Sequence, residues 1–285
     1  METVHAALWL VIMLVMLALA FGFMNGFHDA ANSIATVVST GVLKPGTAVL
    51  FTAFFNLAAI FVFQLSVAAT VGKGLVQPGV VDTHVVLGAL LGTITWNIVT
   101  WYFRIPNSSS HALIGGILGA VIAKAGAGSL IGAGVWKTVL FIFVSPFLGF
   151  LFGSLIMVPV ARLFRRATPS RVDRWFRRMQ LVSAGAYSLG HGGNDAQKTI
   201  GIIWMLLIAT GYHSASEAMP PMWVVVTCYF AIALGTMFGG WRIVKTMGQK
   251  ITKLRPVGGF CAETGGAITL FLATALGIPV STTHT

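Results

Sequence analysis

Two carboxylates stand in matching polar motifs inside long apolar runs: Asp29 in Gly26-Phe27-His28-Asp29-Ala30-Ala31-Asn32-Ser33-Ile34 and Asp195 in Gly192-Gly193-Asn194-Asp195-Ala196-Gln197-Lys198-Thr199-Ile200. An ionised carboxylate at the centre of a bilayer costs roughly 2.5–3.5 kcal/mol even on gentle insertion scales, so such a residue marks function rather than packing. At helical spacing Asn25, Asp29, Asn32 and Thr36 share one face, with Ser33 beside them. His191, Asp195, Lys198 and Thr199 form the corresponding stripe, with Asn194 adjoining. Carboxylate, amide and hydroxyl oxygens are the ligands that a hard cation needs. Glycines at 26, 192 and 193 allow close backbone approach or a break in the helix.

A second motif is also duplicated. Ile105-Pro106-Asn107-Ser108-Ser109-Ser110-His111 returns as Ile278-Pro279-Val280-Ser281-Thr282-Thr283-His284. Proline suits the first helical position, hydroxyls cap helices, and the free amides there carry partial positive charge. Two such helix starts, Ser108 to Ser110 and Ser281 to Thr283, suit a tetrahedral oxyanion held from both sides.

The elements that must position these motifs are membrane helices. Hydrophobic residues make up 56% of the 285 and charged residues only 9%, against about 25% charged in an ordinary soluble domain. Apolar runs near the length that spans ~30 Å of hydrocarbon occur at 6–24, 47–71, 84–103, 130–160, from 179 onward, at 222–240 and at 258–278. The first is read as a span, because Met1 to His5 lacks the basic region of a cleavable signal. A net charge of +11 raises nucleic-acid binding, but the basic residues argue against it by where they lie. Seven Lys/Arg fall between Arg162 and Arg178 and five between Arg242 and Arg255, while Gly211 to Pro221 has none. That is the positive-inside pattern, which places both basic stretches in the cytoplasm. Cys228 and Cys261 have no neighbouring thiol, and no phosphate-binding Gly-Lys-Ser/Thr loop appears, so neither a thiolate metal site nor nucleotide-driven chemistry is indicated.

Repetition organises the chain. The Asp motifs are offset by 166 residues and the hydroxyl motifs by 173, in the same order, which implies two related halves. The expected division is a first membrane repeat at 1–160, a basic cytoplasmic loop at 161–178, and a second repeat at 179–285. Five spans in the first half would invert the second, giving an all-α polytopic protein with two inverted-topology repeats and broken or re-entrant helices at the midplane. The run Gly115 to Ala120 and the long span after it have no counterpart beyond His284, so the second half is expected to be C-terminally truncated.

With these motifs the chain resembles the inorganic phosphate transporter (PiT) family of cation-coupled symporters, over essentially its whole length. The resemblance implies a transporter rather than an enzyme, phosphate held by Ser108, Ser109, Ser110, Ser281, Thr282 and Thr283, and a coupling cation held around Asp29, Asn32 and Asp195. Asn25, Ser33, Asn194, Lys198 and Thr199 complete the expected cation group. Glu263, in the span before the second hydroxyl motif, is a further candidate, and Leu90 lies at the equivalent place in the first half. His28 and Lys198 stand where the family pattern more often has Asn; His28 is a proton-relay candidate, and an ammonium at Lys198 can pair with Asp195 and exclude sodium. No cofactor is expected beyond a coupling cation, with protons favoured over sodium. Expected partners are phosphate, alone or as a metal complex, the lipid bilayer of a bacterial inner membrane, and a second copy of the chain. Sulfate permeation on the same fold, a passive anion channel, and a hydrolase built from Ser109, His111 and an Asp are the competing readings.

Overall fold

The computed structural model describes residues 7–77, 79–103, 105, 107–239 and 254–285. Met1 to His5, Pro106 and most of the second basic stretch lie outside them. Among the described residues there are nine α-helices and no strand: α1 (Leu8–Ser39), α2 (Pro45–Ala58), α3 (Ser66–Lys73), α4 (Thr83–Phe103), α5 (Ser109–Ala125), α6 (Gly132–Phe164), α7 (Pro169–Ala209), α8 (Met222–Phe238) and α9 (Pro256–Ala275).

By length and composition α1, α4, α6 and α9 can each cross a membrane. The apolar run at 47–71 is a broken span, in which α2 and α3 meet at 79°. No proline or glycine makes that break. It is held from a distance by Gln197 of α7, whose Oε1 accepts from the Val67 and Ala68 amides at 2.9 and 3.2 Å while its Nε2 donates to Gln64 O at 2.9 Å. Two of the orphan donors at the α3 N-terminus are thereby satisfied by a side chain.

α7 is the central post. Its 41 residues span about 60 Å at 1.5 Å per residue, and every residue from 190 to 207 is buried. The basic stretch at 161–178 is therefore mostly helical, with only residues 165–168 between α6 and α7. Pro169 starts α7 with its φ already set, and an Asp173–Arg177 pair at 2.7 Å supports the first turns. The outer face is apolar: Phe61, Phe143, Phe147 and Phe150 are largely exposed, as a surface facing lipid requires. Outside the spans, partial burial pushes the Asp82 carboxyl up, but hydrogen bonds from Lys124 and the Val85 amide outweigh it and hold the group below the usual carboxylate range.

The two Asp-bearing helices, α1 and α7, lie antiparallel. Gly22, midway along α1, faces Thr199, and Thr40 at the α1 C-terminus donates to Gln180 at 2.9 Å. Neither helix breaks at its motif. The glycines serve close approach instead: a Cβ on Gly26 would lie 2.1 Å from Ile232 O of α8, and one on Gly192 would lie 2.5 Å from Asn56 O of α2.

Candidate functional site

Antiparallel packing of α1 and α7 brings the two carboxylates together. Ligand atoms of Asp29, His191 and Asp195 all lie within 4.8 Å of one another, and all three residues are buried. Like charges at that separation in a low-dielectric interior repel strongly, and the Lys198 ammonium paired with Asp195 offsets one of the two.

The hydroxyl motifs close on the carboxylates from both halves. Ser109 donates to Asp29 Oδ2 at 3.0 Å, and its repeat mate Thr282 donates to Asp195 Oδ2 at 3.1 Å. Asn32 donates to Thr283 Oγ1 at 3.0 Å and reaches Asp29 Oδ1 at 3.4 Å. At the mate position Lys198 donates to Ser110 Oγ and pairs with Asp195 Oδ1. Thr283 also donates to Asp29 Oδ1 at 3.3 Å, so each motif addresses both halves. The rings of His111 and His284, mates as well, stack at 5.2 Å and 19°. Mates thus meet mates, and the site is a pseudo-symmetric pair in which Lys198 replaces Asn32.

That replacement is the main asymmetry. Lys198 is fully buried, and its ammonium donates to a carboxylate, a hydroxyl and the Val280 carbonyl, the last at 2.6 Å. Three oxygen acceptors of these kinds are what a bound cation would be offered. Around Asp29 the corresponding donors are neutral, the Asn32 amide and the Thr283 hydroxyl, with no ammonium among them.

Other expected residues fall around this core. Asn25 accepts from Ser109 at 2.5 Å. Ser108 caps α5 by accepting from the His111 amide at 3.2 Å, as its place in the motif implied. Ser281 is buried, and its carbonyl accepts from the His284 and Thr285 amides in a turn that mirrors the start of α5. Asn194 does not face the carboxylates: it donates to Thr274 and Ile278 O at 3.0 and 3.1 Å and accepts from the Val280 amide, and so fixes the approach to the second motif. His28 forms no hydrogen bond or ion pair among the described residues and stays out of the carboxylate cluster. Glu263 is buried in a separate cluster, accepting from Thr36, from Gln180 at 3.2 Å and from Ser183 at 2.6 Å.

His191 takes its expected place on the Asp195 stripe, whereas its partner Asn56 and the brace from Tyr187 are contacts that sequence reasoning passed over. His191 stands 3.4 Å from Asp195 Oδ2, beyond a well-formed hydrogen bond on that side, while Nδ1 meets Asn56 at 3.2 Å. Tyr187 donates to Thr282 O at 2.8 Å and steadies the second motif. Polar atoms remain buried without a protein partner at Asn25 Nδ2, Ser33 Oγ, Thr199 Oγ1, His111 Nε2 and Ser281 Oγ. Others lie elsewhere, at Asn97, Ser145, Trp204 and Tyr229, but native interiors leave few such atoms, and the group at the two motifs fits a polar ligand.

Buried paired charge, broken and antiparallel helices, and converging hydroxyl motifs are the features of a multi-pass membrane transporter. The chain belongs to the Phosphate transporter family, whose model matches it twice, over residues 25–171 and 160–285. It is 61% identical over 276 residues to a probable low-affinity inorganic phosphate transporter of Rhizobium meliloti (strain 1021), covering 97% of this chain and 82% of that protein. A protein of Bacillus subtilis (strain 168) with the same description is 45% identical over 96% of this chain and 83% of its own length. The solved structure described as the sodium-dependent phosphate transporter superposes with a TM-score of 0.88 at 23% identity, covering 97% of this chain and 87% of that one, and shares the fold.

Proposed function

We propose that this protein carries inorganic phosphate across a bacterial cytoplasmic membrane by symport with protons, within two repeats of inverted topology. The observation that carries the reading is the facing of Asp29 and Asp195 under hydroxyls from both motifs, with an ammonium in only one half. Two carboxylates and a phosphate bearing one to two negative charges repel one another where water cannot screen them. Lys198 offsets only part of that charge, so phosphate enters together with further positive charge.

Ser108 to Ser110, Ser281 to Thr283 and the amides of the two helix starts hold the phosphate oxygens. The Asp29 half, with Asn25, Asn32 and Ser33, receives the coupling cation. In the Asp195 half Lys198 occupies the corresponding place, beside Thr199, and the fixed ammonium disfavours sodium there. Protons remain as the coupling ion, taken up on Asp29. The antiparallel setting of α1 and α7 supports inversion of the repeats.

Uptake of radiolabelled phosphate into proteoliposomes tests the assignment. Asp29→Asn and Asp195→Asn should each abolish concentrative uptake while the protein still inserts and remains monodisperse. Accumulation near the wild-type level in both variants would remove the carboxylates from the coupling path. Unlabelled phosphate should compete fully and sulfate weakly; equal competition by sulfate would make the protein a general oxyanion carrier.

A further inference from the structure

The repeat register can be carried beyond the central site, and there the two halves diverge. Glu263 gathers Thr36 and Ser183 hydroxyls and the Gln180 amide, and Gln180 in turn accepts from Thr40 at 2.9 Å. Gly259 makes the room: a Cβ there would lie 2.3 Å from Gln180 Nε2. This polar cluster extends the α1 stripe from Asp29 and Asn32 toward the α1 C-terminus. Arg177 of the basic hairpin donates to Gly41 O at 2.9 Å at that end, so the cluster lies on the basic-loop side of the carboxylates.

Applying the same 166- and 173-residue offsets to each member gives a different chemistry. Thr36, Thr40, Gln180 and Ser183 become Ile202, Leu206, Leu14 and Leu17, and Glu263 becomes Leu90. The room-making Gly259 becomes Val86. Leu14, Val86, Leu90, Ile202 and Leu206 are all buried in one continuous apolar cluster, with Leu17 packed against it. Every polar group of one cluster thus has an apolar mate in the other, at the opposite end of the same two helices.

An ion crossing a packed aliphatic layer forfeits its solvation, and such constrictions exclude ions by staying dry. Hydroxyls, an amide and a carboxyl in sequence offer it successive partners. We propose that in this conformation the central site communicates with one face only: the Glu263 cluster is the passage for the coupling cation toward the basic-loop face. Its apolar mates Leu14, Leu17, Leu90, Ile202 and Leu206 are the barrier toward the other. This rests on the transport reading above and adds its direction and its gate.

Mate positions supply the test. In a background with Cys228 and Cys261 replaced by alanine, single Thr36→Cys and Ile202→Cys proteins are placed in oriented vesicles without phosphate or sodium. A membrane-impermeant cationic methanethiosulfonate is then applied to one face. Thr36→Cys should react from the basic-loop face at least ten-fold faster than Ile202→Cys reacts from the opposite face. Comparable rates, or a faster Ile202→Cys, would overturn the proposal. In a second arm, Leu90→Glu and the milder Leu206→Thr should raise phosphate-independent cation leak into proteoliposomes about ten-fold or more, whereas Leu90→Met should not. Folded Leu206→Thr protein with wild-type leak would also overturn it. Neither arm contains phosphate, so a wild type that failed to take up phosphate would sink the transport reading and leave these results standing.

Discussion

Lys198→Met isolates the ammonium from everything else in the site. The side chain is fully buried, and methionine keeps most of its length while removing the charge donated to Asp195, Ser110 and Val280 O. Asp195 is left buried with Thr282 as its remaining hydrogen-bond donor and with His191 nearby. Breaking a buried pair by deleting one partner typically costs about 3–5 kcal/mol, because the other charge stays behind uncompensated. For a chain of this size that corresponds to a fall in melting temperature on the order of 10 °C. If Lys198 stands in a cation position, the cost is recoverable by mass action: a cation at 100 times its Kd returns about 2.7 kcal/mol. Tryptophan-monitored unfolding in detergent should therefore show Lys198→Met destabilised in choline chloride and partly rescued by sodium or lithium, while the wild type is indifferent to the swap. Adding Asp195→Asn to Lys198→Met should recover much of the loss without salt, giving a coupling energy between the two sites. Melting of Lys198→Met within about 2 °C of wild type in choline would refute the reasoning, as would melting of the variant at the same temperature in sodium as in choline.

Two further outcomes follow from the packing and the charge distribution. Gly26→Ala puts a methyl 2.1 Å from Ile232 O, whereas Gly92→Ala meets nothing within 4 Å; the first should cost about 1–3 kcal/mol as overpacking, and the second should leave thermal stability in detergent unchanged. Cysteines placed at Ser170 and Ser216, both exposed, report topology: the former should resist impermeant thiol reagents in intact cells and the latter should react, and the reverse pattern would invert the assignment of the basic hairpin to the cytoplasm.

The sequence carried the chemistry of the centre because that chemistry is duplicated. Asp29 and Asp195 were recognisable from the expense of a carboxylate in an apolar run, and Ser109, Ser110, Thr282 and Thr283 from hydroxyls at helix starts; the structure brings all of them together. Long-range polar partnerships were not legible. Gln197 bracing the α2–α3 break, Tyr187 on Thr282 O and Gln180 on Glu263 join residues some 80 to 130 positions apart, and no period or motif announces them. Asn194 misled for a related reason: it adjoins Asp195 in sequence, but one helical step of 100° turns it toward the 278–280 backbone. The basic stretch read as a loop because charge dominated its pattern, although Pro169 and the Asp173–Arg177 spacing already carried a helix start. Residues 190–207 of α7 are buried on every side, and their polarity reflects contact with other helices instead of exposure to water.

Coupling is the claim on which the account turns, and gradient-driven uptake in proteoliposomes measures it directly. Purified protein is reconstituted with identical sodium on both sides and an imposed pH gradient, acid outside, and then with identical pH and an inward sodium gradient. The account predicts concentrative phosphate uptake in the first condition, abolished by a protonophore, and none above equilibration in the second. Uptake that requires the sodium gradient and ignores the pH gradient would contradict proton coupling and place Lys198 off the cation path.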